Sequence, residues 1–139
     1  MNQEEKKLQE KYIEMKTIEE HMKEVQKQAQ MVEQQLAELI TNEQSIEEFK
    51  KAKKGDEILV PISSGIFVKA ELKDNNEFLV NVGADTVVKK GIDSTKELME
   101  KQVEDMRELH VKINMQLQRL SIHASGIEEE LKELVSKIR

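Results

Sequence analysis

From Leu8 onward, apolar residues recur at alternating steps of three and four. One position of this seven-residue repeat takes Leu8, Met15, Met22, Ala29 and Leu36, and the next takes Ile18, Val25, Val32, Leu39 and Ile46. A helix turns once in about 3.6 residues, so the spacing gathers these side chains into one stripe that must be covered by another helix. No Gly or Pro interrupts the stripe over about five heptads, which predicts a coiled-coil helix and not a short globular one. Lys11 and Glu43 fall on the stripe and mark where the seam weakens near its two ends.

The last third repeats the pattern. Met99, Met106, Ile113, Leu120, Ile127 and Leu134 take one position, while Val103, His110, Leu117, Ala124, Leu131 and Ile138 take the other. His110 is a polar interruption, expected to set register and to soften the pairing on acidification. Gly126 is expected to fray or bend the helix, at a cost near 1 kcal/mol relative to Ala. Glu97 with Lys101, Glu128 with Lys132 and Glu133 with Lys137 sit at acid-to-base i,i+4 spacing on the outer surface and support helicity only. Two stripes of about 45 residues each, matched in length around a compact connector, pair best as an antiparallel hairpin with arms of roughly 65–70 Å.

Between the stripes the period changes to two. Strands are expected at Glu57–Pro61, Ile66–Leu72, Glu77–Val82 and Thr86–Lys90, separated by Gly-, Asn- and Asp-containing turns. Asp93 or Ser94 is expected to cap the second helix, with Glu97 completing a capping box from Ser94. The fold class is therefore α+β: residues 1–54 a coiled-coil helix, 55–92 a small module of two β-hairpins, and 93–139 a second coiled-coil helix. Two short hairpins bury little and leave strand edges unpaired, so the module is expected to pair with the same module of other chains.

Composition narrows the function. Aromatic residues are 3% of the 139 and charged residues 36%, a mixture that without periodicity signals disorder. The net charge is -6, and no basic run is interleaved with aromatics, which argues against nucleic acid. The cluster Lys50, Lys51, Lys53 and Lys54 reads as a solvated helix end. There is no cysteine, and His21, His110 and His123 are too far apart in sequence for metal-ligand spacing. Ser63 and Ser64 lack a histidine partner nearby in sequence, Gly83–Ala84–Asp85 is not a phosphate loop, and the acidic runs read as solvated faces. No cofactor and no enzymatic activity are expected. Met1–Asn2–Gln3–Glu4 lacks the basic flank and apolar run of a leader, and no run is long enough to cross a membrane, so an intracellular chain without membrane contact is expected.

The run Val60–Pro61–Ile62–Ser63–Ser64–Gly65–Ile66–Phe67–Val68–Lys69–Ala70–Glu71–Leu72, followed by Val80–Asn81–Val82–Gly83–Ala84 and Val87–Val88–Lys89–Lys90, resembles the α-type subunits of archaeal prefoldins. With the heptad arms on both sides, the resemblance covers nearly the whole chain. It implies a cytoplasmic chaperone hexamer of two α-type and four β-type subunits, built through the β modules. Its coiled-coil tips grip non-native polypeptides and deliver them, without nucleotide, to a group II chaperonin. On this resemblance the assembly residues are Val60, Ile62, Ile66, Phe67, Val68, Leu72, Phe78, Val80 and Val82, with Gly65 and Gly83 supplying turn geometry. The client-binding tips hold Leu8, Tyr12, Ile13, Met15, Ile127, Leu131, Leu134, Val135 and Ile138. Of these, Tyr12, Ile13 and Val135 lie outside the two seam positions. The competing reading is a coiled-coil scaffold or tether that binds defined folded partners.

Overall fold

The computed structural model describes residues 2–138; Met1 and Arg139, the outermost residues of the two expected arms, lie outside that range. The element order is α1 (Gln3–Lys51), β1 (Glu57–Ser63), β2 (Ile66–Glu71), β3 (Glu77–Asn81), β4 (Val87–Gly91) and α2 (Ile92–Ile138). The chain divides into two compact units, one of Met1–Gln35 with Met106–Arg139 and one of Leu36–Asp105.

In the first unit α1 and α2 pack as an antiparallel coiled coil. Partners descend along α2 as they ascend along α1: Lys11 meets Glu130, Glu14 meets His123, and Glu33 meets His110. The core is the expected stripe. Val25, Ala29, Val32 and Ile113 are buried together, with Met106, Leu117 and Leu120 packed against them. Each such side chain, fully buried, contributes roughly 1.5–3 kcal/mol before ordering costs, so the helices hold together by many modest increments along the seam. Asn2 starts α1 by accepting the Glu5 amide on its side-chain oxygen at 2.8 Å, which satisfies one of the free N–H groups of the first turn. Helical structure continues through Gly126, so the helix does not fray there. The next residue, Ile127, is one of the most deeply buried in the chain at 2% exposure, and its burial holds the turn in place.

The second unit carries both hairpins. β1 pairs antiparallel with β2, Val60 opposite Val68 and Ile58 opposite Ala70, with a bulge between Pro61 and Ser63. β3 pairs antiparallel with β4, Phe78 opposite Lys90 and Val80 opposite Val88. The hairpins form two separate two-stranded sheets. Gly65 adopts φ 77° in the first turn, the left-handed region that glycine enters without steric cost. In the second turn Gly83, Ala84 and Asp85 are all left-handed, at φ 106°, 51° and 57°. The Thr86 amide donates to the Gly83 carbonyl at 3.0 Å, closing a primed turn whose twist suits a hairpin. After α1, the chain is tied to the foot of the first hairpin. The Gly55 amide donates to the Leu72 carbonyl at 2.7 Å, and the Leu72 amide donates to the Asp56 carbonyl at 2.9 Å.

Two boundaries differ from expectation in an instructive way. β1 runs on to Ser63 because the bulge absorbs one residue before the turn. α2 begins at Ile92, ahead of Asp93 and Ser94, so neither is its cap. Gly91 ends β4 opposite Glu77, and its carbonyl accepts the Thr95 hydroxyl at 2.8 Å. Strand passes into helix with no loop between them, and the buried Thr95 secures the junction.

Candidate functional site: two apolar surfaces on one chain

The first surface lies at the open end of the helix pair. Lys11 occupies a seam position, yet the helices stay linked there. Its ammonium reaches Glu130 on α2 at 2.6 Å and Glu14 on α1 at 3.2 Å, and the other oxygen of Glu14 meets His123 at 3.3 Å. Hydrogen bonding to Glu130, then to Glu14, holds the Lys11 ammonium above the usual lysine range. The weak point expected at Lys11 is thus a charged clasp across the two helices. Beside it the aromatic ring of Tyr12 and the side chain of Ile13 stand exposed, at 56% and 67% of their surface. Ile138 is exposed too, whereas Leu8, Met15, Leu131, Leu134 and Val135 are half-buried. Ile127 departs from the expected set. It is closed inside the seam and presents nothing to solvent, because the helix continues past Gly126 with its register intact.

His110 faces Glu33 at 3.2 Å across the seam and stands 3.4 Å from the side-chain amide of Asn114 on its own helix.

The second surface is on the hairpins. Val60, Ile62, Ile66, Phe67, Val68 and Val82 are all exposed. Phe78 and Val80 are not free in the same way. They share a half-buried face with Val88 and Lys90, and the Phe78 ring packs edge-on against Phe49 of α1, centroids 6.3 Å apart. Leu72 is half-buried, and its backbone is bonded within the chain. The outward face of the second hairpin instead presents Leu79, at 72% exposure, with Val87; Leu59 stands out from the first hairpin. These three were missed by the sequence reading. The signal was present in the unbroken run Phe78–Leu79–Val80, which is apolar on both faces of a strand and so calls for cover on both.

At the foot of the module the ends of α1 and α2 are joined by Glu47 and Lys96 at 2.5 Å. Hydrogen bonding to Lys96 holds the Glu47 carboxyl below the usual carboxylate range, and Glu47 in turn raises the Lys96 ammonium. Among the described residues no group of three or more acidic, histidine or cysteine side chains is placed to hold a metal ion. No helix of the described residues is long and apolar enough to cross a membrane.

Comparison with known proteins places this arrangement. Among curated proteins, the chain is 31% identical over 86 residues to the prefoldin subunit alpha of Thermofilum pendens, covering 62% of this chain and 67% of that protein. It is 28% identical over 119 residues to that of a Methanococcus maripaludis strain, covering 86% and 78%. Among solved structures, a chain of the filamentous PFD from Methanocaldococcus jannaschii superposes with a TM-score of 0.74 at 13% identity, over 84% of this chain and 96% of that one, and so shares its fold. The family model described as Prefoldin subunit matches residues 18–137. An antiparallel coiled coil with two hairpins between its helices, matched by that model over most of its length, belongs to the prefoldin family of chaperones.

Proposed function

We propose that this chain is an α-type subunit that joins β-type subunits, two to four, through the outward faces of its hairpins and holds non-native polypeptides at the open end of its helix pair. It acts without nucleotide in the cytoplasm and passes its clients to a group II chaperonin. What most supports the holding role is the exposure of Tyr12 and Ile13 beside a seam position where Lys11 of α1 pairs with Glu130 of α2. An apolar pair outside a satisfied seam has no partner within the helix pair. Each apolar side chain covered by a client contributes roughly 1.5–3 kcal/mol before ordering costs, so a single tip grips weakly. Several tips on one body raise the local concentration of the next contact, and affinity follows without sequence specificity. The names of the curated relatives support the α-type assignment.

The test is suppression of aggregation of a chemically denatured protein by the assembled complex carrying Tyr12→Ser, Ile13→Ser and Ile138→Ser. Tyr12 and Ile13 lie outside the two seam positions, Ile138 is an exposed seam position in the last turn of α2, and buried Ile127 is left untouched. Loss of holding with an unchanged assembled mass is expected. Full holding by the substituted complex would sink the tip assignment, and saturable binding of one folded partner with no grip on denatured protein would favour the tether.

A further inference from the structure

The chain has seven methionines, no cysteine and no tryptophan, so its thioethers are the groups a mild oxidant attacks first. Off the seam, Met31 and Met115 are exposed at 60% and 48%. On the seam, Met15, Met22, Met99 and Met106 are half-buried. Met22 has two neighbourhoods at once. It falls on the stripe between buried Ile18 and Val25, and it also lines a groove of about 560 Å³ beside the seam, shared with Gln26 of α1 and with Asn114, Met115, Leu117 and Gln118 of α2. The exposure of Met115 in the same lining shows that the groove is open to solvent. Met22 therefore borders solvent on one side and the core stripe on the other. Met106 packs instead against the core cluster of Val25, Ala29, Val32 and Ile113.

We infer that Met22 is an oxidation site, at which a peroxide arriving through the groove converts the thioether to the sulfoxide and loosens the middle of the helix pair. The sulfur lone pair attacks one oxygen of hydrogen peroxide. The O–O bond breaks as the S–O bond forms, and the departing hydroxide takes the proton left on the transferred oxygen to become water. The sulfur is oxidised, the peroxide is reduced, and no other reactant is consumed. The new oxygen is polar and needs a hydrogen-bond donor, which the side chains of Ile18 and Val25 cannot supply. The groove supplies several, because the side-chain amides of Gln26, Asn114 and Gln118 line it and each carries an NH2 group that donates. Oxidised Met22 is thus drawn from the seam into the groove, and the stripe is left unfilled between Ile18 and Val25, with the cost of a cavity. The sulfoxide of exposed Met115 stays in solvent and costs the seam nothing. Reductases return methionine sulfoxide to the thioether, so the loosening is reversible. The site belongs to the helix pair itself and stands whatever the pair holds.

The experiment exposes the folded full chain to hydrogen peroxide for increasing times, maps by peptide mass spectrometry which methionines have gained one oxygen, and follows thermal melting by circular dichroism. Three chains are compared: unsubstituted, Met22→Leu and Met115→Leu. Leucine keeps the seam position apolar and removes the sulfur, and each chain is compared with itself before and after peroxide, so a small change in its starting stability does not matter. Exposed Met31 and Met115 are expected to oxidise first and Met22 next, several-fold faster than Met106. As Met22 is oxidised, the unsubstituted and Met115→Leu chains should lose roughly 3 °C or more in melting temperature, whereas Met22→Leu keeps its own. Treatment with methionine sulfoxide reductases, one for each epimer, should restore the loss. Oxidation of Met22 no faster than that of Met106 overturns the groove as the route of entry. An unchanged melting temperature with Met22 fully oxidised overturns the loosening, and an equal loss in the Met22→Leu chain overturns the assignment to Met22.

Discussion

The helix pair and the β module of this chain carry similar apolar residues and treat them in opposite ways. In the coiled coil, Val25, Ala29, Val32 and Ile113 are closed off by side chains of the partner helix. On the hairpins, Leu59, Ile62, Phe67 and Leu79 stand in solvent. The difference lies in what each element can cover for itself. A helix with a single stripe needs one partner, and the chain supplies it by turning back. A two-stranded hairpin has two faces and two edges, and only part of one face finds cover within the chain, as Phe78 does against Phe49. Under the proposed function, this bare surface is what the neighbouring subunits cover.

Substitutions should separate the two regions sharply. Val25→Asp places a charge at the most buried point of the seam and should cost about 4 kcal/mol or more, enough to unpair the helices in thermal melts followed by circular dichroism. Ile127→Ala should cost about 2–4 kcal/mol in the same melts, because it opens a cavity in packed surroundings. A loss below about 0.5 kcal/mol would return Ile127 to the exposed tip. Leu79→Ser should leave the melting of the isolated chain within about 0.5 kcal/mol of the parent and yet lower the assembled mass measured with a β-type subunit. If it destabilised the isolated chain as much as Ile127→Ala, the contrast between the regions would collapse.

Two smaller effects sharpen the picture of the module. Ala84 holds φ 51°, and Ala84→Gly should stabilise by about 0.5 kcal/mol, relief of the left-handed strain being offset in part by the entropy of glycine. The smallest effect is expected from Glu47 and Lys96. Pairing lowers the carboxyl's titration in the folded state, so its contribution is present above the unfolded carboxyl's range and fades as pH falls through the folded one. The raised Lys96 ammonium gives the mirror case: its contribution is present at neutral pH and fades as pH rises through the folded value. Glu47→Gln should therefore lower the melting temperature slightly at neutral pH and not at all in strong acid. An equal shift at both would remove the ion pair as its cause.

The arms were readable because a heptad is a local pattern with one geometric solution. Ile18, Val25, Val32, Val103 and Ile113 were placed on the seam by spacing alone, and all are buried. Four strands and their turns were likewise legible from period and turn residues, to within two residues at each end. Three things required the fold. Which face of β3 turns inward depends on Phe49, 29 residues earlier in the sequence, meeting Phe78; alternation defines two faces and cannot name the covered one. That Lys11 joins the helices depends on Glu130 lying opposite, a matter of register between distant segments. Gly126 was expected to fray or bend the helix because glycine costs about 1 kcal/mol there, and the burial of Ile127 beside it, which outweighs that cost, depends on the facing helix. Sequence by itself determined the elements and the stripe each must bury, since those follow from the periods of helix and strand. Tertiary structure alone decided which apolar residues were left over, because exposure is what remains after every segment has found its neighbour.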